Sequence, residues 1–333
     1  MIHPNSVETY IYAIVLKHEV SMKPKILCSA CLGFCACRYD GSQLNSDLIN
    51  MLKEYVDFET VCPEMGIGLP SPREAIRVVT HAGERRLVGS YSGDDHTVTM
   101  NTYVDTFVRD FDASSYDGII LKCKSPTCGI KEVKHYPSHG KIQSHMTKTS
   151  GFFGGTLKST FKSLIVEDDG RLLNADIRDH FLTSVFLHFE FRKVKASERP
   201  YNALLEFHSK NKYLLMAYNQ AALKRMGQIV ANHEKQSLET VLEAYSAELG
   251  VIYSSSLKPG KNANTLQHLF GYFKNDLNDA EKRFFTRQMD LYLKDLVSLQ
   301  SILLILKAWV VRFDEPYLKN QTIFDHYPIE MKI

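Results

Sequence analysis

Apolar positions in the first half of the chain fall into short continuous runs, separated by stretches whose apolar residues recur at helical spacing. ILCSA (Ile26 to Ala30) is a short buried-strand run, followed by the turn-forming residues Arg38 to Ser42. DLINMLKEY (Asp47 to Tyr55) has helical spacing, and Phe58 to Val61 is a second strand ending at Cys62-Pro63-Glu64. Pro and Gly punctuate MGIGLPSP before the run Arg73 to Val79. A strand over RLVGS, a helix over Thr102 to Phe111 and a strand over YDGIILK then follow. Strands that alternate with helices predict a parallel, doubly wound α/β sheet.

The pattern changes after about residue 150. GFFGG (Gly151 to Gly155) is expected to be a flexible break, and VEDDGRLLNADIRDHFLTSVF is expected to begin with a loop and run into a helix with Asn174 or Asp176 as N-cap. From about residue 200 the chain has helix after helix, as in ALLEFHSKNKYLLMAYNQAALKRMGQIVA and in Asp279 to Phe313, with apolar residues at i, i+3, i+4 and i+7. The expected organisation is residues 22–190 as an α/β domain and 191–333 as an all-α domain. Residues 1–21 are expected to be a leader or an over-extended start, since a second methionine, Met22, directly precedes KPKILCSAC.

Composition narrows the function classes. At 333 residues, 44% hydrophobic and 23% charged, the sequence has the make-up of a folded globular protein of two domains. A formal charge of +2 leaves any nucleic-acid surface to a local patch. No apolar run is long enough to span a bilayer, and IYAIVL (Ile11 to Leu16) lacks the basic flank of a signal peptide. A cytoplasmic location with reduced thiols is the expectation.

The seven cysteines all lie between residues 28 and 128. An odd number confined to one region points to a metal or cluster site more than to a disulfide framework. Local readings are available. Cys28 fits a small buried strand residue. Cys28 and Cys31 form a CxxC without the helix start a redox pair needs, and Cys28, Cys31, Cys35 and Cys37 allow a crowded zinc site. The sharper constellation is distributed. Cys31 follows the first strand, Cys62 closes the second, and Cys128 lies just beyond IILK. Functional loops of an open parallel sheet gather at the carboxyl ends of its strands. Three thiolates meeting there suit a [4Fe–4S] cluster with one iron left without a protein ligand, free to bind a substrate sulfur. Glu64 lies two residues from Cys62 and is placed to move protons, or else to cap a helix or pair with Arg73. Ser125 in SPTCG faces the same space or simply shapes the turn.

SACLGFCACRYDG, VCPEMGIGLPSPR and LKCKSPTCG, in this order and at these separations, resemble the three signature motifs of the thiouracil desulfidase (TudS) family. FHSKNKYLLMAYNQ, NANTLQHLFGYFK and YLKNQTIFDHYP resemble the YbgA-type helical domain often fused to it. The resemblance implies that Cys31, Cys62 and Cys128 hold a [4Fe–4S] cluster and that Glu64 activates water. Ser125 would assist proton transfer or hold the base, and a thiolated pyrimidine would lose sulfur as hydrosulfide without net redox. In the fused architecture it implies 4-thiouridine in tRNA as substrate, with the helical domain on the RNA. This chain departs from the family in having Gly33 and Phe34 after Leu32, where a Leu-Leu-Gly run is more usual. Cys28, Cys35 and Cys123 lie outside the implied ligand set.

Lys210, Lys212, Lys258 and Lys261, with interleaved tyrosines, are the candidate phosphate contacts in the helical region. Two rival functions remain at this stage: a desulfidase of free thiouracil or a related thioamide, and a non-catalytic RNA-binding protein with a structural zinc.

Overall fold

The structure, a computed structural model, describes residues 23–331. The expected leader, residues 1–21, lies outside them. Strands β1 (Lys25–Ser29), β2 (Asp57–Val61), β5 (Gly118–Leu121) and β8 (Val166–Asp168) form one all-parallel sheet in the order β2-β1-β5-β8. Helix α1 (Asp47–Leu52), capped by the Ser46 side chain, is the crossover from β1 to β2.

Alternation along β1 and β5 sorts the two faces. Ile26, Cys28 and Ile120 pack with Ile49 and Leu52 of α1, whereas Leu27, Ile119 and Leu121 belong to a second core on the opposite face. That second core includes Met100 and Val104 of α3 (Thr97–Asp110), and Phe153 and Leu157 of α4 (Phe152–Thr160). Both faces of the sheet are covered, so its central strands read as unbroken apolar runs.

The run beginning at Arg73 and the RLVGS segment do not join this sheet. They form β3 (Ile76–His81) and β4 (Glu84–Gly89), an antiparallel pair closed by Ala82 and Gly83, both at positive φ. A two-residue turn can only return the chain antiparallel, whereas a parallel neighbour needs a long crossover. With β6 (Val133–Tyr136) and β7 (Lys148–Thr149) they make a mixed sheet in the order β4-β3-β6-β7, which the sequence analysis did not foresee.

GFFGG is not a flexible break. Gly151 precedes α4, and the first amides of the helix are donated to the loop after β5: Phe152 N to Pro126 O (3.1 Å), Phe153 N to Thr127 O (3.0 Å) and Gly154 N to Thr127 O (2.9 Å). A Cβ on Gly154 would stand 2.0 Å from the carbonyl oxygen of Cys128, and one on Gly151 would stand 2.4 Å from that of Thr127. These glycines allow close backbone approach rather than flexibility.

Asn174 caps α5 (Ala175–Lys195), as expected. Nine of the residues of this helix are buried, among them Phe181, Val185, Phe189 and Phe191, so it is enclosed on more than one side. Phe181 and Val185 lie against Gly118 of β5, while Phe191 meets Phe207 and Tyr245. The helices that follow are α6 (Pro200–Lys210), α7 (Lys212–Tyr218), α8 (Gln220–Ala231), α9 (Leu238–Tyr253), α10 (Pro259–Gly271), α11 (Asp279–Leu293), α12 (Leu299–Phe313) and α13 (Pro316–Lys319). They share one apolar core with the α1 face of the parallel sheet. Residue 190, where the sequence expectation ends the first domain, falls inside α5.

At the amino ends of the strands Asp117, fully buried, joins three elements. Its carboxylate accepts from Lys25 N of β1 (2.8 Å) and from Arg192 of α5 (2.7 Å), and it lies 2.9 Å from His188 Nδ1. No helix among the described residues is long and apolar enough to cross a membrane.

Candidate active site and metal centre

The register of the parallel sheet decides what meets at its carboxyl edge. Ser29 is opposite Val61, Ala30 N donates to Val61 O (2.8 Å), and Lys122 N donates to Ser29 Oγ (2.9 Å). Cys31, Cys62 and the Lys122–Gly129 loop therefore leave the sheet side by side. Cys62 is the N-cap of α2 (Pro63–Gly66), a single helical turn that carries Glu64.

Cys31 and Cys62 are partly buried, and Cys128 is buried. Burial pushes Cys31 up to about 11, with Cys62 and Glu64 pushing the same way. Burial likewise pushes Cys128 up to about 12, against a hydrogen bond from Ser29 that lowers it, while Cys31, Glu64 and Cys62 add to the rise. Thiols such as Cys31 and Cys128, whose ionisation burial disfavours, are the setting in which a cationic metal group is needed to hold thiolates.

Glu64 is fixed on both sides. Arg73, nearly inaccessible, donates to Oε2 through Nε (3.1 Å) and Nη2, and is itself held by the carbonyls of Cys37 (3.0 Å) and Pro70 (2.9 Å). The pairing with Arg73 read as an alternative from sequence is thus present, but at the thiol cluster rather than away from it. Thr127 Oγ1 donates to Oε1 (2.9 Å). Ser125 Oγ lies 3.0 Å from Thr127 Oγ1 and accepts from the amides of Thr127 (3.2 Å) and Cys128 (3.1 Å). Sequence reasoning missed Arg73 as a partner inside the site and missed Thr127 altogether. The only signal for Thr127 was its place between Ser125 and Cys128 in SPTCG.

The remaining cysteines divide. Cys28 faces the core with Ile26, and burial raises its thiol well above the usual range. Cys35 is exposed. Cys37 is buried, and burial, followed by the neighbouring Cys62, raises its thiol above the usual range. Among the described residues the one group of three or more ligand atoms all within 4.8 Å of one another is Cys123, Asp168 and Asp169, so Cys28, Cys31, Cys35 and Cys37 do not form a single-ion zinc site. In the Cys123 group the Lys122 ammonium already occupies the cation's place, 3.0 Å from Cys123 Sγ and 2.8 Å from Asp169. Cys31, Cys62 and Cys128 likewise do not meet single-ion spacing. A cluster sets each thiolate on a different iron and spaces them more widely, so this all-thiolate donor set fits a cluster better than one ion.

The four lysines are not gathered round one hollow. Lys210, at the end of α6, is exposed and lines a hollow of about 270 Å³. Lys212 is half-buried, 5.6 Å from the Tyr213 ring. Lys258 and Lys261, at the start of α10, are exposed and flanked by Leu257 and Asn262, which line a cleft of about 1530 Å³. That cleft lies between β8 with the amino-terminal half of α5 and the helices beyond. It carries Lys158, Lys162, Arg171 and Arg178, which the sequence reading did not single out, balanced by Glu167, Asp176, Asp179 and Asp295, with Arg171 paired to Glu167, and none of the cysteines lines it.

Residues 26–169 match the family model described as 2-thiouracil desulfurase. The protein of Bacillus subtilis (strain 168) described as "Uncharacterized protein YbbK" is 31% identical over 152 residues, covering 43% of this chain and 96% of that protein. This chain belongs to the 2-thiouracil desulfurase family. Residues 212–328 match a second family, described as a protein of unknown function (DUF1722). "Uncharacterized protein YbgA" of Escherichia coli (strain K12) is 26% identical over 151 residues, 45% of this chain and 89% of that protein. Among solved structures, the chain is similar to the [4Fe-4S]-dependent thiouracil desulfidase TudS at 25% identity, covering 45% of this chain and 94% of that one with a TM-score of 0.37. The family region is the one whose strand ends bring together Cys31, Cys62, Cys128 and Glu64, and the second match lies wholly within the helical region.

Proposed function

We propose that this protein is a [4Fe–4S]-dependent, non-redox desulfidase that converts 4-thiouridine in tRNA to uridine. The carrying observation is the convergence of Cys31, Cys62, Cys128 and Glu64 at the carboxyl edge of the parallel sheet, in the region that matches the desulfurase family.

In this reading Cys31, Cys62 and Cys128 hold the cluster, and one iron is left without a protein ligand. The bound cluster would supply a sulfur-seeking Lewis acid for the thiocarbonyl group. The chain's own residues supply the proton chemistry. Glu64, held by Arg73 and Thr127, takes a proton from water. The water oxygen replaces sulfur on the pyrimidine carbon, and sulfur departs as hydrosulfide, so no electrons are exchanged. Ser125 borders the same loop and keeps Cys128 in place through the Cys128 amide.

Anaerobically purified protein should contain iron and sulfide. Cys31→Ala, Cys62→Ala and Cys128→Ala should each lose them, while Cys123→Ala keeps them. Stoichiometric zinc in place of iron would reject the proposal.

The tRNA reading is supported by the presence of a second domain and by Lys158 and Lys162 in the cleft beside β8. Lys158→Glu with Lys162→Glu in the full chain should slow desulfuration of thiolated tRNA and flatten its salt dependence, leaving free thiouracil turnover unchanged. Equal rates on both substrates in this variant would favour a desulfidase of the free base.

A further inference from the structure

We infer that Ser125 acts on the site through Thr127: the two hydroxyls form a directed hydrogen-bond chain, Ser125 to Thr127 to Glu64, which sets the orientation of the Glu64 carboxylate. For turnover this deepens, and rests on, the desulfidase reading. The chain itself follows from counting donors and acceptors.

A carboxylate oxygen only accepts, and a threonine hydroxyl has one hydrogen. The 2.9 Å contact of Thr127 Oγ1 with Glu64 Oε1 takes that hydrogen in preference to the 3.8 Å contact with Cys128 Sγ, since the carboxylate oxygen is the nearer and the stronger acceptor. The 3.0 Å contact between the two hydroxyls must then take its hydrogen from Ser125. Ser125 Oγ also receives the amides of Thr127 (3.2 Å) and Cys128 (3.1 Å). Its one donor and two acceptor positions are all engaged inside the loop, so no hydrogen is left for a substrate. Thr127 is 1% exposed, so its hydroxyl at the centre of the chain is shielded from water.

On the other side Arg73, pinned by two backbone carbonyls, holds Oε2. The carboxylate is thus fixed at both oxygens. Thr127 and Ser125 are positioning residues for Glu64, and Ser125 is one step further from the chemistry than its place in the motif suggests.

A double-mutant cycle of Thr127→Val and Ser125→Ala, with Thr127→Ser as the conservative variant, tests this in two readouts. In iron-free protein, urea unfolding should show that Ser125→Ala costs clearly less beside Thr127→Val than alone. In iron-loaded protein with free thiouracil, Thr127→Val should lower kcat by about tenfold or more, as expected for loss of a hydrogen bond to a charged group, with KM and iron content little changed. Thr127→Ser should restore most of the rate, and Ser125→Ala should add little further loss to Thr127→Val.

Multiplicative losses of kcat in the double variant would mean that Ser125 meets the substrate itself, and would overturn the inference. Wild-type turnover in Thr127→Val, or independent effects in unfolding, would do the same. Should the wild-type protein desulfurate no thiolated pyrimidine, the functional reading falls while the unfolding cycle still decides the hydrogen-bond chain.

Discussion

Gly154→Ala sets two opposing effects against each other at the loop that carries Cys128. Gly154 lies inside α4, where alanine is favoured over glycine by about 1 kcal/mol. Its Cβ, however, would sit 2.0 Å from the carbonyl oxygen of Cys128 and 2.6 Å from the carbonyl carbon. Those are backbone atoms, so no side-chain rotation can relieve the contact. Overpacking of this kind costs roughly 1–3 kcal/mol, and a backbone clash belongs at the upper end. The clash wins, for a net loss of about 2 kcal/mol, or more than a factor of ten in the folding equilibrium.

The strain falls on the amide-to-carbonyl bonds that join α4 to Thr127, so the Cys128 loop should shift and iron content should drop as well. Gly250→Ala is the control: it lies within α9, and a Cβ there meets nothing within 4 Å, so it should gain up to about 1 kcal/mol. Urea unfolding of iron-free protein and iron analysis of anaerobic preparations measure both effects. Wild-type stability together with full iron in Gly154→Ala would refute the reasoning.

Asp117→Asn removes the charge that Arg192 faces in a fully buried site, and a broken buried pair of this kind costs about 3–5 kcal/mol. Circular dichroism melting should show the loss, and an unchanged midpoint would reject the assigned role. Stability should also fall as pH drops below about 6.5, the unperturbed histidine value. Burial lowers the folded-state pKa of both His180 and His208, so the unfolded chain binds more protons in that window and gains relative to the fold. His180→Asn should shallow this slope in urea titrations at pH 5 and pH 7, and an unaltered slope would count against it. Arg73→Met leaves Glu64 partly buried and without its cation, so it should destabilise the protein and abolish turnover while Cys31, Cys62 and Cys128 remain. A variant with wild-type melting and kcat would exclude Arg73 as the anchor.

Strands β1, β2 and β5 and helix α1 were legible because local pattern suffices for them: the apolar stretches in ILCSA and YDGIILK both appear in central strands covered on two faces, whereas β8 lies in VEDDG, which reads as a loop. The thiols at the strand ends were legible for the same reason, since a strand's end marks an edge of its sheet. What local pattern does not carry is the partner. Whether β3 and β4 extend the parallel sheet or turn back on each other rests on the two residues Ala82 and Gly83 and on a pairing with β6 more than fifty positions later. GFFGG looked like a break because composition cannot tell a glycine needed for freedom from one needed for contact.

The chain by itself therefore determined strands β1, β2 and β5, helix α1, the α/β-then-α order and the cysteines that lie beyond strand ends, because each follows from side chains close in sequence. Only the tertiary structure decided that Glu64 is gripped by Arg73 and Thr127, that Asp117 ties the strands to α5, and that this helix serves both the sheet and the helices beyond it. Those depend on burial and on hydrogen-bond partners brought together by the register of the sheet, which no short window of sequence contains.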